Sequence, residues 1–202
     1  MAVQVPSPSG REKLVFPGGW GESETDEYTF YAVTKGRQYP IKLDGFVQPY
    51  VVWAQDSSGA LFFYSDGGAN CCYSTLLISF PGGHVEVTNP TLQVAEDFVA
   101  YRDSLGISCE VPHEEPNIYA VGWVNRSHAL LAAETVCHSI CDCYGSFRVY
   151  EIELPSGKIV KAFGEALAKK IFAGYLPWDL ADAPNDDWDS NPKSCIRKQS
   201  KK

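Results

Sequence analysis

Short hydrophobic runs separated by polar turns follow one another along most of the chain, in the spacing that is typical of β-strands. Residues 50–64 read as strand, polar turn and strand, and they align without gaps with residues 119–133, at an offset of 69. Residues 73–87 align in the same way with residues 147–161, at an offset of 74, around a Pro-x-Gly turn. The two alignments predict a duplicated unit of four antiparallel strands.

The two copies, about residues 50–88 and 119–162, have the size and turn spacing of a propeller blade. A partial third copy is predicted at residues 28–43. We therefore predict a mainly β fold of repeated four-stranded antiparallel meanders, propeller-like in arrangement. Within the second copy, the alternating pattern of residues 147–154 is typical of a half-solvated strand.

Two segments have helical rather than strand spacing. The first segment covers about residues 91–105, follows Asn89-Pro90 and ends at a glycine. The second covers residues 164–174 and also ends at a glycine. One or two short helices are therefore expected. A charge-segregated tail covers residues 179–202, and the length of 202 residues suits a single domain over 1–202.

The charge balance restricts the class of partner. The chain has 17 basic and 25 acidic residues, so its formal net charge is -8 at pH 7. Sequence-independent binding to nucleic acid or to an anionic membrane is not expected from such a chain. No apolar run approaches the roughly 20 residues that span a bilayer, so membrane insertion is not expected either. A protein or a small molecule is the favoured partner.

Seven cysteines are the unusual feature of the composition. Five fall in or beside the loop between the second and third strands of each copy, and two lie elsewhere: Cys71, Cys72, Cys137, Cys141 and Cys143, then Cys109 and Cys195. Because the two loops are equivalent, they should emerge on the same side of the molecule, and disulfides between them are predicted. Free buried thiols and a zinc site that includes His138 are the alternatives. We expect no metal and no cofactor.

Disulfides need an oxidising compartment, so a periplasmic or secreted location is expected, with the cytoplasm as the alternative. The first residues lack the apolar core of a signal peptide, but a mature secreted chain preceded by a start Met-Ala lacks it too. The prediction of the location therefore depends on whether the cysteines form disulfides or remain free thiols.

No motif of a common enzyme class is present: G-x-S-x-G, H-E-x-x-H, the P-loop and the dinucleotide-binding G-x-G-x-x-G are all missing from the sequence. His138 adjoins Cys137, but neighbouring side chains on an extended chain point to opposite faces. We expect a protein without enzymatic activity. A cysteine- or zinc-dependent hydrolase and a structural or sensor module of an envelope assembly are the alternatives.

The unit of strand, Ser/Asp turn, strand, cysteine-bearing loop, strand, turn and strand resembles small periplasmic immunity proteins that protect bacteria from type VI secreted cell-wall amidases. The acidic character and the Lys-rich end after Cys195 are similar as well. The resemblance implies a toxin inhibitor in which a loop occludes the active site of a basic secreted effector. The turns expected to reach that partner are Asp56, Ser57 and Ser58 in the first copy and Asn125, Arg126, Ser127 and His128 in the second.

Overall fold

The computed structural model describes residues 2–18, 27–44, 47–68, 71–107, 115–135, 146–177 and 180. The elements within these ranges are β1 (Val3–Pro6), β2 (Glu12–Phe16), β3 (Glu27–Thr34), β4 (Arg37–Asp44), β5 (Val47–Trp53), β6 (Gly59–Gly68), β7 (Cys71–Ser79), β8 (Glu86–Thr88), α1 (Thr91–Ser104), β9 (Asn117–Asn125), β10 (His128–Glu134), β11 (Phe147–Glu153), β12 (Ile159–Phe163) and α2 (Glu165–Phe172). In this part of the chain, neither helix has the length and apolarity needed to cross a membrane.

The strands form three four-stranded antiparallel meanders, each in chain order. Sheet 1 contains β1 to β4, sheet 2 contains β5 to β8 and sheet 3 contains β9 to β12. The prediction of a mainly β fold of repeated meanders is confirmed. The partial copy at residues 28–43 proves to be the second hairpin of a complete first sheet, which begins at Val3. The sequence pattern missed its first hairpin because β1 has only 4 residues. Closure of the three sheets into a propeller stays a prediction.

The strand register agrees with the predicted duplication. Leu61 lies opposite Leu77 in sheet 2, and Leu130 lies opposite Glu151 in sheet 3, at the positions 69 and 74 residues further on. The correspondence holds for all seven pairs that start between Gly59 and Ser65. The two copies therefore have the same pairing between their second and third strands.

Sheet 2 lies between the other two sheets and is buried on both faces. Successive side chains of a strand point to opposite faces, so Leu61 and Phe63 belong to the core shared with sheet 3, whereas Phe62 belongs to the core shared with sheet 1. The ring of Phe62 packs against Phe16 and Phe30, with centroid separations of 5.9 and 4.7 Å. Both neighbouring sheets thus depend on the same central strand, β6.

Strand β11 is more buried than its sequence pattern predicts, so the expectation of a half-solvated strand is wrong. Phe147 and Tyr150 project from opposite faces, and each has 0% of its surface exposed. The reason is that a helix covers each face. On one face the Arg148 guanidinium lies 3.6 Å from the ring centroid of Tyr101 in α1, and on the other the Lys169 amine of α2 lies 5.6 Å from the Phe147 ring centroid.

Hydrogen bonds from polar side chains also join sheet 2 to sheet 3 and to α1. The Thr75 hydroxyl donates to the carbonyl of Ile118 at 2.9 Å, and the Tyr73 amide donates to the Asn117 side-chain oxygen at 2.9 Å. The Thr91 hydroxyl, at the start of α1, donates to the carbonyl of Thr75 at 2.8 Å. Because buried polar groups need partners, these bonds fix the position of β7 along β9 as well as their contact.

The central position of Phe62 leads to a stability prediction. Phe62→Ala should lower the free energy of unfolding by about 3 to 5 kcal/mol, since it leaves a cavity that three sheet-1 and sheet-2 rings now line. Urea denaturation measures the change. Val87→Ala in β8 is the matched control: its side chain is 42% exposed, and it should change the free energy by no more than about 0.5 kcal/mol. Equal effects of the two substitutions would contradict the packing of sheet 1 on sheet 2.

Candidate functional site

The turns between the first and second strands and between the third and fourth strands of all three sheets lie at one end of the molecule, which we call the turn face. Its segments are residues 7–11, 35–36, 54–58, 80–85, 126–127 and 154–158. Sheet 1 contacts sheet 2 here: the Ser9 amide donates to the Ser57 hydroxyl at 2.9 Å, and the Lys35 amine donates to the carbonyl of Gly82 at 2.8 Å. The turn face is therefore one continuous surface.

Two turns of this face have the same internal hydrogen bonds. Asp56 Oδ1 accepts from the amide of Ser58 at 3.1 Å and from its hydroxyl at 2.7 Å. Asn125 Oδ1 accepts from the amide of Ser127 at 2.8 Å and from its hydroxyl at 3.0 Å. Asp and Asn side chains stabilise turns through such bonds to the residue two positions on. Both turns are thus ordered before any partner arrives.

An ion pair brings the two turns together across the boundary between sheet 2 and sheet 3. Arg126 Nε lies 2.5 Å from Asp56 Oδ2, although the two residues belong to different copies of the repeat. The Arg126 side chain is 83% exposed, so the pair adds little to stability but does restrict where the guanidinium lies. The turns singled out from the sequence therefore form one surface.

Not all seven predicted contact residues are equally accessible. Ser57 is only 6% exposed, and its hydroxyl is bonded to sheet 1 as described above. His128 begins β10, where its Nδ1 lies 2.6 Å from Glu151 Oε1. Asp56, Ser58, Asn125, Arg126 and Ser127 are exposed. These five side chains are the part of the predicted set that a partner can reach directly.

Between sheets 2 and 3, the turn face contains a groove of about 370 Å³. Its walls are Ser58, Leu77, Ser79, Phe80, Pro81, Glu86, Trp123, Arg126, Leu154 and Pro155. Only two of these, Ser58 and Arg126, were predicted from the sequence. A signal for two more was present in the repeat, because Pro81 and Pro155 occupy equivalent positions of the Pro-x-Gly turns. No comparable signal marks Trp123 or Glu86.

Trp123 forms a fixed wall of the groove. Its indole N–H donates to the carbonyl of Val52 at 2.9 Å, so the ring of sheet 3 is tied to β5 of sheet 2. The ring also passes close to Gly59, where an added Cβ would lie 3.1 Å from Trp123 Cη2 and 3.1 Å from the carbonyl oxygen of Ile78. A side chain at position 59 would require the Trp123 ring or the Ile78 carbonyl to move by a few tenths of an ångström. The groove therefore depends on a glycine at the turn end of β6.

The two acidic side chains beside the groove have different environments. Hydrogen bonds from Ser58, and after them the charge of Arg126, hold the pKa of Asp56 below its usual value. Glu86, in β8 of the same sheet, is exposed, and its side chain has neither a hydrogen bond nor an ion pair with any described residue. Asp56 is thus engaged within the protein, whereas the Glu86 carboxylate is available to a ligand.

Two of the cysteines lie at the other end of sheet 2. Cys71 and Cys72 occupy the first two positions of β7, and the remaining five lie outside the described residues: Cys109, Cys137, Cys141, Cys143 and Cys195. The strand ends from which the two cysteine-bearing segments leave are adjacent, because Asn117 bonds both to the Tyr73 amide, at 2.9 Å, and to Glu134 Oε2, at 3.3 Å. This adjacency is what disulfides between the segments require, and the disulfides stay a prediction.

Comparisons with known protein families and curated proteins found no match, so the site is interpreted from its own geometry. The chain matches no protein-family model and no curated protein sequence. Among the residues that the structure describes, no group of three or more His, Cys, Asp and Glu side chains is placed to hold a metal ion. The resemblance to immunity proteins accordingly rests on the residues quoted for it above.

The environment of Asp56 leads to a prediction for its titration. Its pKa should lie below the ordinary value of about 3.9, and Ser58→Ala should raise it more than Arg126→Gln, because the serine bonds are the larger cause. A carboxyl with a lowered pKa stabilises the fold above its unfolded pKa, and that contribution is lost as the pH falls through the folded value. Carboxyl NMR titration of the three proteins measures the order. A larger effect from Arg126→Gln would show that the ion pair, rather than the turn, controls this carboxyl.

The adjacency of the cysteine-bearing segments leads to a second prediction. Protein produced in an oxidising compartment and then denatured should alkylate at fewer cysteines without reductant than with it, because cross-segment disulfides protect them. Mass spectrometry counts the added groups. Alkylation of all seven cysteines in the absence of reductant would contradict the disulfides and favour the cytoplasmic alternative.

Proposed function

We propose that this protein is a non-enzymatic, protein-binding inhibitor of the periplasmic immunity-protein type, which occludes the active site of a secreted bacterial effector with its turn face. The observation that carries the proposal is the meeting of two turns from separate sheets, where Arg126 Nε lies 2.5 Å from Asp56 Oδ2 beside the groove. Turns positioned in this way lie side by side next to the groove, where one partner surface can contact both.

The order within the turns supports a binding role. The side-chain bonds of Asp56 and Asn125 already hold the turn backbones, and the Ser9 amide holds the first turn against sheet 1. A surface that is ordered in the free protein loses less conformational entropy when it binds. Rigid turns are therefore suited to tight inhibition.

Charge supports a basic partner. The net charge of -8 accelerates encounter with a basic protein and makes that encounter dependent on salt. Exposed acidic side chains on or next to the turn face include Asp56, Glu86 and Glu153. The basic secreted effector expected from the sequence therefore remains the proposed partner.

The test is co-expression with the product of the adjacent gene. The protein should form a one-to-one complex with that product and suppress its toxicity. Arg126→Glu should weaken the complex by at least about tenfold, because it replaces the ion pair with Asp56 by repulsion and so separates the two turns. Calorimetry or surface plasmon resonance measures the affinity.

Lys170→Glu is the matched control. It makes the same change of charge at an exposed residue of α2, outside the six segments of the turn face. We expect it to leave the affinity within about twofold of the original. Equal weakening by both variants, or toxicity that the protein does not suppress, would contradict the proposal.

A further inference from the structure

The two charged side chains that line the groove differ in whether they are paired. They are Glu86 and Arg126, and the Arg126 guanidinium is already paired with Asp56 at 2.5 Å. The Glu86 carboxylate has no partner among the described residues. Of the charged lining residues, Glu86 is therefore the one that is open to a ligand of opposite charge.

The rest of the groove offers flat, fixed, apolar surfaces. The Trp123 ring is held by the bond from its indole N–H to the carbonyl of Val52. Pro81 and Pro155 complete this side of the walls. Aromatic faces attract cations, and the long alkyl stems of Lys and Arg bury readily against such surfaces while the charged head stays near water.

The dimensions limit the occupant. A volume of about 370 Å³ lies at the lower end of the range of roughly 300 to 1,000 Å³ that is usual for ligand pockets. It suits one long side chain better than a folded segment. The hydroxyl of Ser79, which has no hydrogen bond to any described residue, lines the same walls as Glu86 and adds a polar acceptor.

We infer that the groove is the receptor for a single basic side chain, lysine or arginine, presented by the partner protein. Its alkyl stem lies against Trp123, and its charged head lies beside Glu86. The inference rests on the proposed function for the identity of the partner, and it names the chemistry by which that partner is recognised. An acidic side chain that pairs with Arg126 is the competing occupant, and the experiment separates the two.

The probes are N-acetyl-arginine methylamide, N-acetyl-lysine methylamide and N-acetyl-glutamate methylamide, added to ¹⁵N-labelled full-length protein. The indole N–H signal of Trp123, assigned with Trp123→Phe, should shift saturably with the basic probes, with millimolar affinity, and not with the glutamate probe. Glu86→Gln should weaken binding of the arginine probe by about threefold to fivefold, which is the usual contribution of an exposed ion pair. Glu96→Gln, an exposed carboxylate on α1, is the matched control and should leave binding unchanged.

Three results would overturn the inference. These are saturable binding of the glutamate probe with loss on Arg126→Gln, the absence of any shift with the basic probes, and equal affinity of Glu86→Gln and the unaltered protein. None of these readouts involves the effector. If the basic probes fail while Arg126→Glu still weakens the effector complex, the groove assignment is wrong and the inhibitor proposal stands. If the basic probes bind and no effector is inhibited, the groove assignment stands and the inhibitor proposal is wrong.

Discussion

The burial of sheet 2 on both faces is the constraint on which the rest of the structure depends. Along β6, Phe62 packs into sheet 1 while its neighbours Leu61 and Phe63 pack towards sheet 3, so a single strand holds two cores in a fixed relation. A shift of this strand by one residue would exchange its two faces and leave both cores mismatched. The hairpins that contain β6 are consequently held in place as well, and so is the part of the turn face that they form.

The groove is a consequence of how closely sheet 3 approaches sheet 2 at the turn end. The Trp123 ring reaches over Gly59 to bond with Val52, and this contact sets the distance between the two sheets where their turns emerge. The same distance places Arg126 within reach of Asp56. Core packing, the ion pair and the groove are therefore linked, because the same contact between sheets 2 and 3 determines all three.

The features that could be predicted from the sequence are those that local residue spacing determines, namely the strands and their repetition. The offsets of 69 and 74 residues make Leu130 and Glu151 the equivalents of Leu61 and Leu77, and both couples are paired in the same register although the connection of the second copy is five residues longer. The burial of Tyr150 could not be predicted, because it depends on packing against α1, which is distant in the sequence. The groove could not be predicted either, because Glu86 and Trp123 meet only through the packing of two sheets and neither residue type is unusual in a strand.

Because of the meander topology, the two ends of the sheets carry different features. In a four-stranded meander, the first and third connections share one end and the second connection lies at the other. The duplicated Asx turns of Asp56 and Asn125 thus fall together at one end, and the segments that carry the cysteines leave from the opposite end, next to Asn117. Covalent cross-links at that end would stabilise the fold without covering the turn face. The turns must then be ordered by hydrogen bonds and charge alone, and this is the order that the turn face displays.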